Sequence, residues 1–310
     1  MESSILGKTG LGVSRLGVGL AEIGSAASGE QKQVGRLLNS ALDAGINFLD
    51  TAECYGVSEE LIGRYVAHRR GEFILATKAG HVAGGYVGQP WTGQTVTDSI
   101  ERSLIRMKTD YVDLVQLHAY DAPHPPSDEV VQAVLDAKEA GKTRCVGYSQ
   151  ENEEAAWAVE SGLFDTLQTA FSLADQRARH GLFDAARSQG MGLIAKRPIA
   201  NAAWGKATQV GDTGKPAGGT KSVPEKLVAR SQAILGLGNI PGMSDDPIEV
   251  ALGFVLSHDE VDTAIVGTRN PQHMLENIEI VESRLPISQD VVDELHRRYD
   301  DLGGDWRSID

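Results

Sequence analysis

Short apolar segments recur along this chain, and segments with helical periodicity separate most of them. The candidate strands are residues 16–19, 47–50, 73–78, 112–118, 145–149, 166–170, 192–196 and 263–267. Apolar residues recur at helical spacing in residues 30–44, 58–68, 97–107, 127–140, 151–161, 178–188 and 247–257. Such alternation is typical of parallel strands joined by right-handed crossovers. Eight units of this kind predict a (β/α)8 TIM barrel.

An open doubly wound sheet is the alternative architecture, because the same alternation allows it. Such a sheet binds a dinucleotide through Gly-x-Gly-x-x-Gly after its first strand, but here Glu22 follows Gly17 and Gly19 at the third glycine position. Residues 5–14 have glycines at turn positions between short apolar runs, which predicts an N-terminal β-hairpin. The 310 residues, 41% of them apolar, suffice for one barrel domain over residues 1–310.

Charge and cysteine content narrow the possible partners. The formal net charge is −14 and no block of Lys and Arg occurs, which disfavours a nucleic-acid partner. Two cysteines, Cys54 and Cys145, are too few for a disulfide framework and indicate a reducing cytoplasm. No leader-like or membrane-spanning apolar stretch is found, so no membrane partner is expected. His81, His124 and His258 lack metal-ligand spacing; we expect surface or loop roles for them, and no metal.

Three segments interrupt the alternation, namely residues 80–95, 204–219 and 235–246. The first two follow predicted strands, so we expect them over the mouth of the barrel, where long loops often shape a site. Trp91 and Trp204 lie in these loops, and they either wall a substrate pocket or pack the loops on the barrel rim. Residues 287–298 predict a helix that packs on the barrel. The tail, residues 300–310 with Trp306, either covers the site or extends into solvent.

Ionisable residues end three of the predicted strands. Asp50, Lys78 and His118 each occupy the last position of a strand, and Tyr55 follows Asp50 by five residues. Active sites of α/β barrels form at the carboxyl ends of the strands, so we expect these four side chains to converge. An ammonium beside a tyrosine hydroxyl lowers the pKa of the phenol, and a carboxylate offsets the burial of that ammonium. Such a group can exchange a proton with an oxygen that changes between carbonyl and alcohol, but the hydride must come from outside.

Taken in order, these residues resemble the aldo-keto reductase family. The resemblance covers nearly the whole chain and includes the N-terminal hairpin, Ser14-Arg15-Leu16-Gly17-Val18-Gly19, Asp50-Thr51-Ala52, Tyr55-Gly56, Thr77-Lys78, Leu117-His118, Gly267-Thr268-Arg269 and Glu276-Asn277. It implies a barrel that uses a nicotinamide cofactor without a Rossmann domain. It also implies that Asp50, Tyr55, Lys78 and His118 form a catalytic tetrad, with Tyr55 as general acid in reduction and general base in oxidation. The implied reaction moves a hydride between NADP(H) and the carbonyl or alcohol group of a small aldehyde, ketone or sugar.

The same resemblance implies where the cofactor binds. Ser149, Gln150 and Gln168 would meet the nicotinamide carboxamide, and the stretch of Lys196, Arg197 and Pro198 would follow the nicotinamide and pyrophosphate. The implied contacts of the remaining cofactor are Gly19, Gly267, Thr268, Arg269, His273, Glu276 and Asn277. Pro271 begins a helix in that region, and a helix N-terminus offers free N–H groups to phosphate.

The chain departs from the family pattern at several positions. Many members have Ser-Asn where Ser149-Gln150 stands, and many stack an aromatic ring on the nicotinamide where Lys196-Arg197-Pro198 stands. An aliphatic stem can cover the ring instead. Gly267 and His273 replace a lysine and an arginine found in many NADPH-dependent members, but Arg269 offers a planar fork of donors to a 2′-phosphate. We therefore expect NADP(H), with NAD(H) as the alternative.

A second class of function is compatible with the same residues. A nicotinamide-binding regulatory subunit, resembling the barrel-shaped channel β subunits, would use the site to sense redox state for a partner protein. Consumption of NADPH with small aldehydes distinguishes an enzyme from such a sensor.

Overall fold

The computed structural model describes residues 1–118, 122–208 and 224–309. Within these residues eight parallel strands close a barrel, and a separate antiparallel hairpin precedes it. The hairpin strands are β1 (Ser3–Ile5) and β2 (Gly12–Ser14), and the barrel strands are β3 (Leu16–Gly19), β4 (Phe48–Asp50), β5 (Ile74–Ala79), β6 (Val112–His118), β7 (Thr143–Ser149), β8 (Thr166–Ala170), β9 (Gly192–Lys196) and β10 (Thr263–Gly267). Strand β10 pairs with both β9 and β3, which closes the sheet. The predicted TIM barrel with its N-terminal hairpin is confirmed, and the open sheet is excluded.

Helices connect the strands and cover the outside of the barrel. In the described part of the chain they are α1 (Gln31–Asp43), α2 (Ser58–Tyr65), α3 (Gly93–Met107), α4 (Asp128–Glu139), α5 (Asn152–Ser161), α6 (Leu182–Ser188), α7 (Ala203–Thr208), α8 (Glu225–Gly236), α9 (Pro247–Leu256), α10 (Pro271–Ser283) and α11 (Gln289–Leu302). The sequence interpretation missed α7 and α8. A signal for α8 was present, because Leu227 and Ile234 lie two helical turns apart and are both buried.

The hairpin closes the amino-terminal end of the barrel. Leu6, Leu11 and Val13 of the hairpin segment are buried in a hydrophobic cluster that is separate from the main core. Its other members come from the barrel strands: Phe48, Ala76, Leu114, Cys145, Ile194 and Ile265. The carboxylate of Asp262 accepts a hydrogen bond from the amide of Gly7 at 3.2 Å and ties the hairpin to the barrel. Apolar side chains therefore fill this end, and the polar cluster described below lies at the opposite end.

The pairing register brings polar residues of neighbouring strands to one edge. The paired positions are Gly19 with Gly267 and Asp50, Lys78 with Gln116, His118 with Ser149, and Ser149 with Gln168. All of these positions except Gln168, which is the central residue of β8, lie in the carboxyl-terminal halves of their strands. The barrel thus delivers them to the end that carries active sites in folds of this kind.

Two of the segments predicted as loops contain part of a helix. The segment at residues 80–95 ends earlier than expected, because α3 begins at Gly93. Helix α7 occupies the start of the predicted loop at residues 204–219, and the rest of that loop, within residues 209–223, lies outside the described residues. None of the described helices has the length and apolar character needed to cross a membrane.

Candidate active site

A buried ion pair lies at the carboxyl end of the barrel. Asp50 ends β4, Lys78 lies next to the end of β5, and the two residues are 2% and 1% exposed. Lys78 Nζ is 2.5 Å from Asp50 Oδ2 and donates to the Thr51 carbonyl at 2.9 Å. Burial by itself lowers the pKa of Lys78, but attraction to Asp50 and Tyr55 outweighs it and the net pKa is raised. Lys78 is therefore a charged ammonium at neutral pH.

Tyr55 lies in the loop between β4 and α2, beside this ammonium. Lys78 Nζ is 5.1 Å from the centroid of the Tyr55 ring. The loop passes so close to Gly24 that a Cβ there would come within 2.1 Å of the Tyr55 carbonyl oxygen. The amide of Val57 donates to the Gly24 carbonyl at 3.1 Å. Only glycine leaves room for this approach, which places Tyr55 against Lys78.

The protonation of Tyr55 differs from the expectation drawn from sequence. Burial raises the pKa of the Tyr55 hydroxyl, and the charge and hydrogen bond of Lys78 offset only part of that rise. The prediction that Lys78 makes Tyr55 more acidic than a free phenol is wrong in net direction, because it left out desolvation, which disfavours the phenolate. At neutral pH Tyr55 is thus a neutral hydroxyl that holds its proton.

His118 ends β6 and faces Tyr55. The two ring centroids are 5.6 Å apart, with planes at 87°. Nδ1 of His118 is 3.4 Å from Sγ of Cys54. Burial raises the pKa of the Cys54 thiol to about 11, so the thiol keeps its proton. Asp50, Lys78 and His118, at or next to the ends of their strands, and Tyr55, in the loop after β4, therefore lie together.

A second imidazole borders the same space. The ring centroid of His81 is 5.0 Å from that of His118 and 5.3 Å from that of Trp91. Trp91, with a positive φ of 61°, lies over Gly80, where a Cβ would meet the indole ring at 2.5 Å. The sequence interpretation gave His81 no role in the site. The available signal was its place three residues after Lys78, directly beyond a strand that supplies the cluster.

Two glutamines orient the second oxygen of Asp50. Oδ1 of Asp50 accepts hydrogen bonds from Nε2 of Gln116 at 3.1 Å and of Gln168 at 2.9 Å. Oε1 of Gln168 in turn accepts from Oγ of Ser149 at 3.1 Å. Sequence reasoning missed Gln116, although a polar residue two positions before His118 in an apolar strand shares the face of His118.

The ends of β7, β8 and β9 extend this network into a polar wall. Lys196 Nζ donates to Oγ of Ser149 at 3.4 Å and lies 2.9 Å from Oε1 of Glu151. Glu151 is 1% exposed. The amide of Gln150 donates to the Gln168 carbonyl at 3.1 Å, which holds this strand end against β8. Glu151 was not among the predicted residues.

The residues predicted for the adenosine end surround the start of α10. Gly19 and Gly267 are neighbours at the ends of β3 and β10. Oγ1 of Thr268 accepts from the amide of Asn270 at 3.1 Å, and Asn270 caps α10. The helix begins at Pro271, as predicted.

The side chains beyond this cap differ in accessibility. Arg269 is half-buried and pairs with Glu30 at 3.5 Å. Asn277 is buried, His273 is half-buried and Glu276 is exposed. Arg269 is therefore the cation closest in sequence to the cap of α10.

The C-terminal tail lies against the predicted pyrophosphate stretch. The Arg197 guanidinium donates to the carbonyl of Ile309, and Pro198 is buried. The Ile309 amide donates to Asp175 Oδ2 at 3.0 Å. Trp204 is 2% exposed and belongs to the main hydrophobic cluster, which favours the expectation that it packs its loop on the barrel.

Two arginines of α3 hold the acidic residues around Tyr55. Arg102 lies 2.9 Å from Oε1 of Glu53, and Arg106 lies 3.2 Å from Oε2 of Glu59. Both glutamates are almost fully buried. Arg106 also donates to the Glu53 carbonyl at 3.4 Å, two residues before Tyr55, so α3 supports the loop that carries the hydroxyl.

Together these groups place a neutral hydroxyl, a charge-balanced ammonium and an imidazole around one space. A hydroxyl beside an ammonium can give its proton to an oxygen that gains negative charge, because the ammonium stabilises the phenolate left behind. The arrangement suits proton transfer coupled to a change between carbonyl and alcohol.

Comparisons with known proteins agree with this chemistry. A model of the Aldo/keto reductase family matches residues 15–299. The uncharacterized oxidoreductase YrpG of Bacillus subtilis (strain 168) is 28% identical over 331 residues, covering 98% of each chain. L-galactose dehydrogenase of Arabidopsis thaliana is 27% identical over 307 residues, covering 94% of this chain and 91% of that protein. The holo form of aldo-keto reductase AKR11C1 from Bacillus halodurans matches with a TM-score of 0.77 and 25% identity, covering 96% of each chain.

Proposed function

The chain belongs to the aldo/keto reductase family, whose oxidoreductases interconvert carbonyl and alcohol groups, and from this premise we propose that it moves a hydride between NADP(H) and a small aldehyde, ketone or sugar. One observation carries the proposal: the Tyr55 ring lies beside the Lys78 ammonium, which is itself paired with Asp50. That contact supplies a proton donor whose conjugate base is stabilised.

Each of the four clustered side chains has a role in this proposal. In reduction Tyr55 gives its proton to the carbonyl oxygen, and Lys78 stabilises the phenolate that remains. In oxidation the phenolate of Tyr55 accepts the proton of the alcohol. Asp50 keeps Lys78 charged and fixes its direction. His118 hydrogen-bonds the substrate oxygen and orients it between the donor groups.

The polar wall suits a nicotinamide cofactor, which supplies or accepts the hydride in this family. Ser149 and Gln168 offer a hydroxyl and an amide to a carboxamide; both are buried, and Gln168 bonds to Asp50 and to Ser149. The carboxylate of Glu151 retains unused acceptor positions next to them. Gly19 and Gly267 place no side chain at the adjoining strand ends. We assign the nicotinamide to this wall, and we assign the pyrophosphate to the stretch that begins at Lys196.

NADP(H) is the cofactor that we propose over NAD(H). The basis is Arg269, a half-buried guanidinium beside the cap of α10. A planar guanidinium can bind a 2′-phosphate with two parallel hydrogen bonds, which a ribose hydroxyl does not match. Its present partner, Glu30, is half-exposed and lies 3.5 Å away.

Small oxygenated carbonyl compounds are the substrate class that we propose. Trp91 offers an apolar ring and His81 a polar imidazole at the edge of the catalytic space. An apolar face beside a hydrogen-bonding group suits a sugar or hydroxyaldehyde. The similarity to an L-galactose dehydrogenase supports the inclusion of sugars.

Substitution of Tyr55 by Phe tests the proposed function. We expect turnover of NADPH with a panel of small aldehydes to fall by at least about 100-fold, since the proton donor is lost. The dissociation constant of NADPH should stay within about twofold, because the ring and its packing remain. The matched control is Tyr111→Phe, which removes a hydroxyl at the other end of the barrel, where the ring stacks on Arg70.

Equal turnover in wild type and Tyr55→Phe would refute the role of Tyr55. Tight binding of NADPH with no consumption across the panel would refute the enzyme and favour a redox-sensing regulatory subunit.

A further inference from the structure

Glu151 is a carboxylate buried in the wall that we assign to the nicotinamide. It follows Ser149 and Gln150 at the end of β7 and is 1% exposed. Lys196 Nζ lies 2.9 Å from its Oε1 and forms an ion pair with it. Its second oxygen, Oε2, accepts no hydrogen bond from the part of the chain that the structure describes. A buried carboxylate with this unused capacity is costly unless a ligand or a positive charge completes it.

Lys196 carries the opposing charge, and both negative and positive groups lie near its ammonium. Burial lowers the pKa of Lys196, Glu151 opposes this, and the positive charges of Arg197 and Lys78 lower the pKa further. Without Glu151 the wall would hold two ammonium groups, those of Lys78 and Lys196, balanced by Asp50 alone. Glu151 therefore decides whether this side of the site is neutral or positive.

That balance matters because the two forms of the cofactor differ in charge. The oxidised nicotinamide ring is a cation and the reduced ring is neutral. At an effective dielectric constant of about 20, one unit charge about 7 Å from the ring changes the affinity for the cation by between about 10- and 100-fold. The same charge acts only weakly on the neutral ring. A charge change at Glu151 or Lys196 should therefore alter the ratio of the two affinities.

We propose that the Glu151–Lys196 ion pair sets the relative affinity of this site for the oxidised and the reduced cofactor. Glu151 stabilises the cationic ring and Lys196 opposes it, so the pair governs how readily the bound cofactor accepts or gives its hydride. The inference rests on the proposed function, because it places the nicotinamide against Ser149 and Lys196. It assigns Glu151 a specificity role that its position in the sequence does not reveal.

The test is calorimetric titration of wild type, Glu151→Gln, Lys196→Met and the double variant with NADPH and with NADP⁺. The titrations are run at a pH of about 6.5 rather than higher, because burial lowers the pKa of Lys196 and a lower pH favours its charged form. In Glu151→Gln we expect the affinity for NADP⁺ to fall by about tenfold or more, and that for NADPH to change by less than about threefold. Lys196→Met should shift the ratio in the opposite direction. The double variant should return it towards the wild-type value.

An exposed carboxylate close to Glu151 in sequence provides the matched control. Glu153→Gln removes an exposed carboxylate two residues after Glu151, in α5, and should leave both affinities unchanged. A ratio that stays within about twofold in both single variants would overturn the inference, as would an equal loss of both forms, which general damage produces. If one single variant does not fold, the other and the double variant still give the comparison. Failure of the proposed function looks different, because wild type would then either bind neither form or bind NADPH without consuming it with the aldehyde panel.

Discussion

At the scale of the residue, desolvation competes with charge pairing, and the outcome differs between neighbours. Lys78 keeps its charge because Asp50 is in contact with it, so its pKa rises in spite of burial. Tyr55 has the same ammonium beside it, yet burial dominates and its pKa is raised. A neutral phenol next to a charged lysine is the protonation state that reduction of a carbonyl needs. Oxidation would require removal of that proton and should be favoured by higher pH.

Two histidines outside the site contact each other, and burial also governs their protonation. Nε2 of His258 is 2.9 Å from Nε2 of His296, and Nδ1 of His258 is 2.7 Å from the Phe254 carbonyl. Nδ1 of His258 must therefore carry the proton, and Nε2 of His296 donates to His258. His258 lies in the loop after α9, as predicted, but its side chain is buried against α11 and does not lie at the surface. Its spacing to His296 in sequence, 38 residues, hid the contact.

We expect His296 to lower the free energy of unfolding as the pH drops from about 6.5 to about 4, whereas Asp175, whose pKa burial raises to about 6, contributes with the opposite sign. Burial lowers the pKa of His296 to about 4, with Arg179 and His258 lowering it further and Asp300 and Asp293 opposing. An unfolded histidine titrates near 6.5, so the unfolded state binds more protons across this window. The contribution is complete above pH 6.5 and amounts to about 1–3 kcal/mol.

Urea unfolding at both ends of this pH window measures the effect. His296→Gln should flatten the dependence on pH, whereas His68→Gln, at an exposed position, should leave it unchanged. An equally steep dependence in His296→Gln would contradict the assignment.

At the scale of the element, helix ends depend on which of several caps is used. Thr97-Asp98 looks like the start of α3, but the helix begins four residues earlier. Oγ1 of Thr92 accepts from the amide of Thr95 at 3.2 Å and caps it, while Thr97 bonds back to the Gly93 carbonyl at 3.0 Å. Both Thr92 and Thr97 are residues that readily cap a helix, so residue preference alone does not predict which of them begins α3.

A glycine also determines how closely two helices approach each other. A Cβ at Gly63 in α2 would lie 2.1 Å from the backbone oxygen of Arg106 in α3. At Gly236, the last residue of α8, no atom lies within 4 Å of the corresponding position. Two glycines in helices thus have opposite consequences when they are replaced.

We expect Gly63→Ala to destabilise the protein by about 1–3 kcal/mol, since the α2–α3 contact must open. Gly236→Ala should be neutral or stabilise by up to about 1 kcal/mol through its helix preference and the loss of chain entropy on unfolding. Guanidinium unfolding of both variants measures this. A loss of stability at Gly236 equal to that at Gly63 would contradict this account, because no close contact exists at Gly236 to cause it.

At the scale of the whole molecule, the C-terminal tail joins parts of the barrel that are distant in sequence. Ser308 Oγ and the Ile309 amide donate to the two oxygens of Asp175, each at 3.0 Å. Burial raises the pKa of Asp175 to about 6, and these tail donors lower it. The tail therefore makes the ionised form of a 3%-exposed carboxylate tolerable.

Truncation after Trp306 should lower the midpoint of thermal unfolding by about 5 °C, as several hydrogen bonds of roughly 1 kcal/mol each are lost. The loss should be larger at about pH 8 than at about pH 5, because the tail stabilises only the ionised Asp175. Differential scanning calorimetry at the two values checks both statements. Arg307→Ala is the control, since it removes only an exposed side chain and keeps the backbone. A deficit independent of pH would exclude Asp175 as its source.

Much of this architecture could be predicted from sequence because its cause is local. Alternation of apolar periods specified every barrel strand, and the ionisable residues at the ends of β4, β5 and β6 marked the site edge. Gln116 and His81 were not predicted as site residues, although each lies within three residues of a predicted site residue. The sequence left the tail and Trp204 undecided, because exposed and buried positions of a short apolar segment look alike in one chain.

The order of apolar segments and the polar residues at their ends determined the barrel and the members of the central cluster, because side-chain direction in a strand follows from its position along the chain. Only the tertiary structure decided the protonation of Tyr55 and the partners of Glu151, His258 and Asp175. Those properties depend on desolvation and on contacts between residues far apart in sequence, and both exist only once the chain has closed on itself.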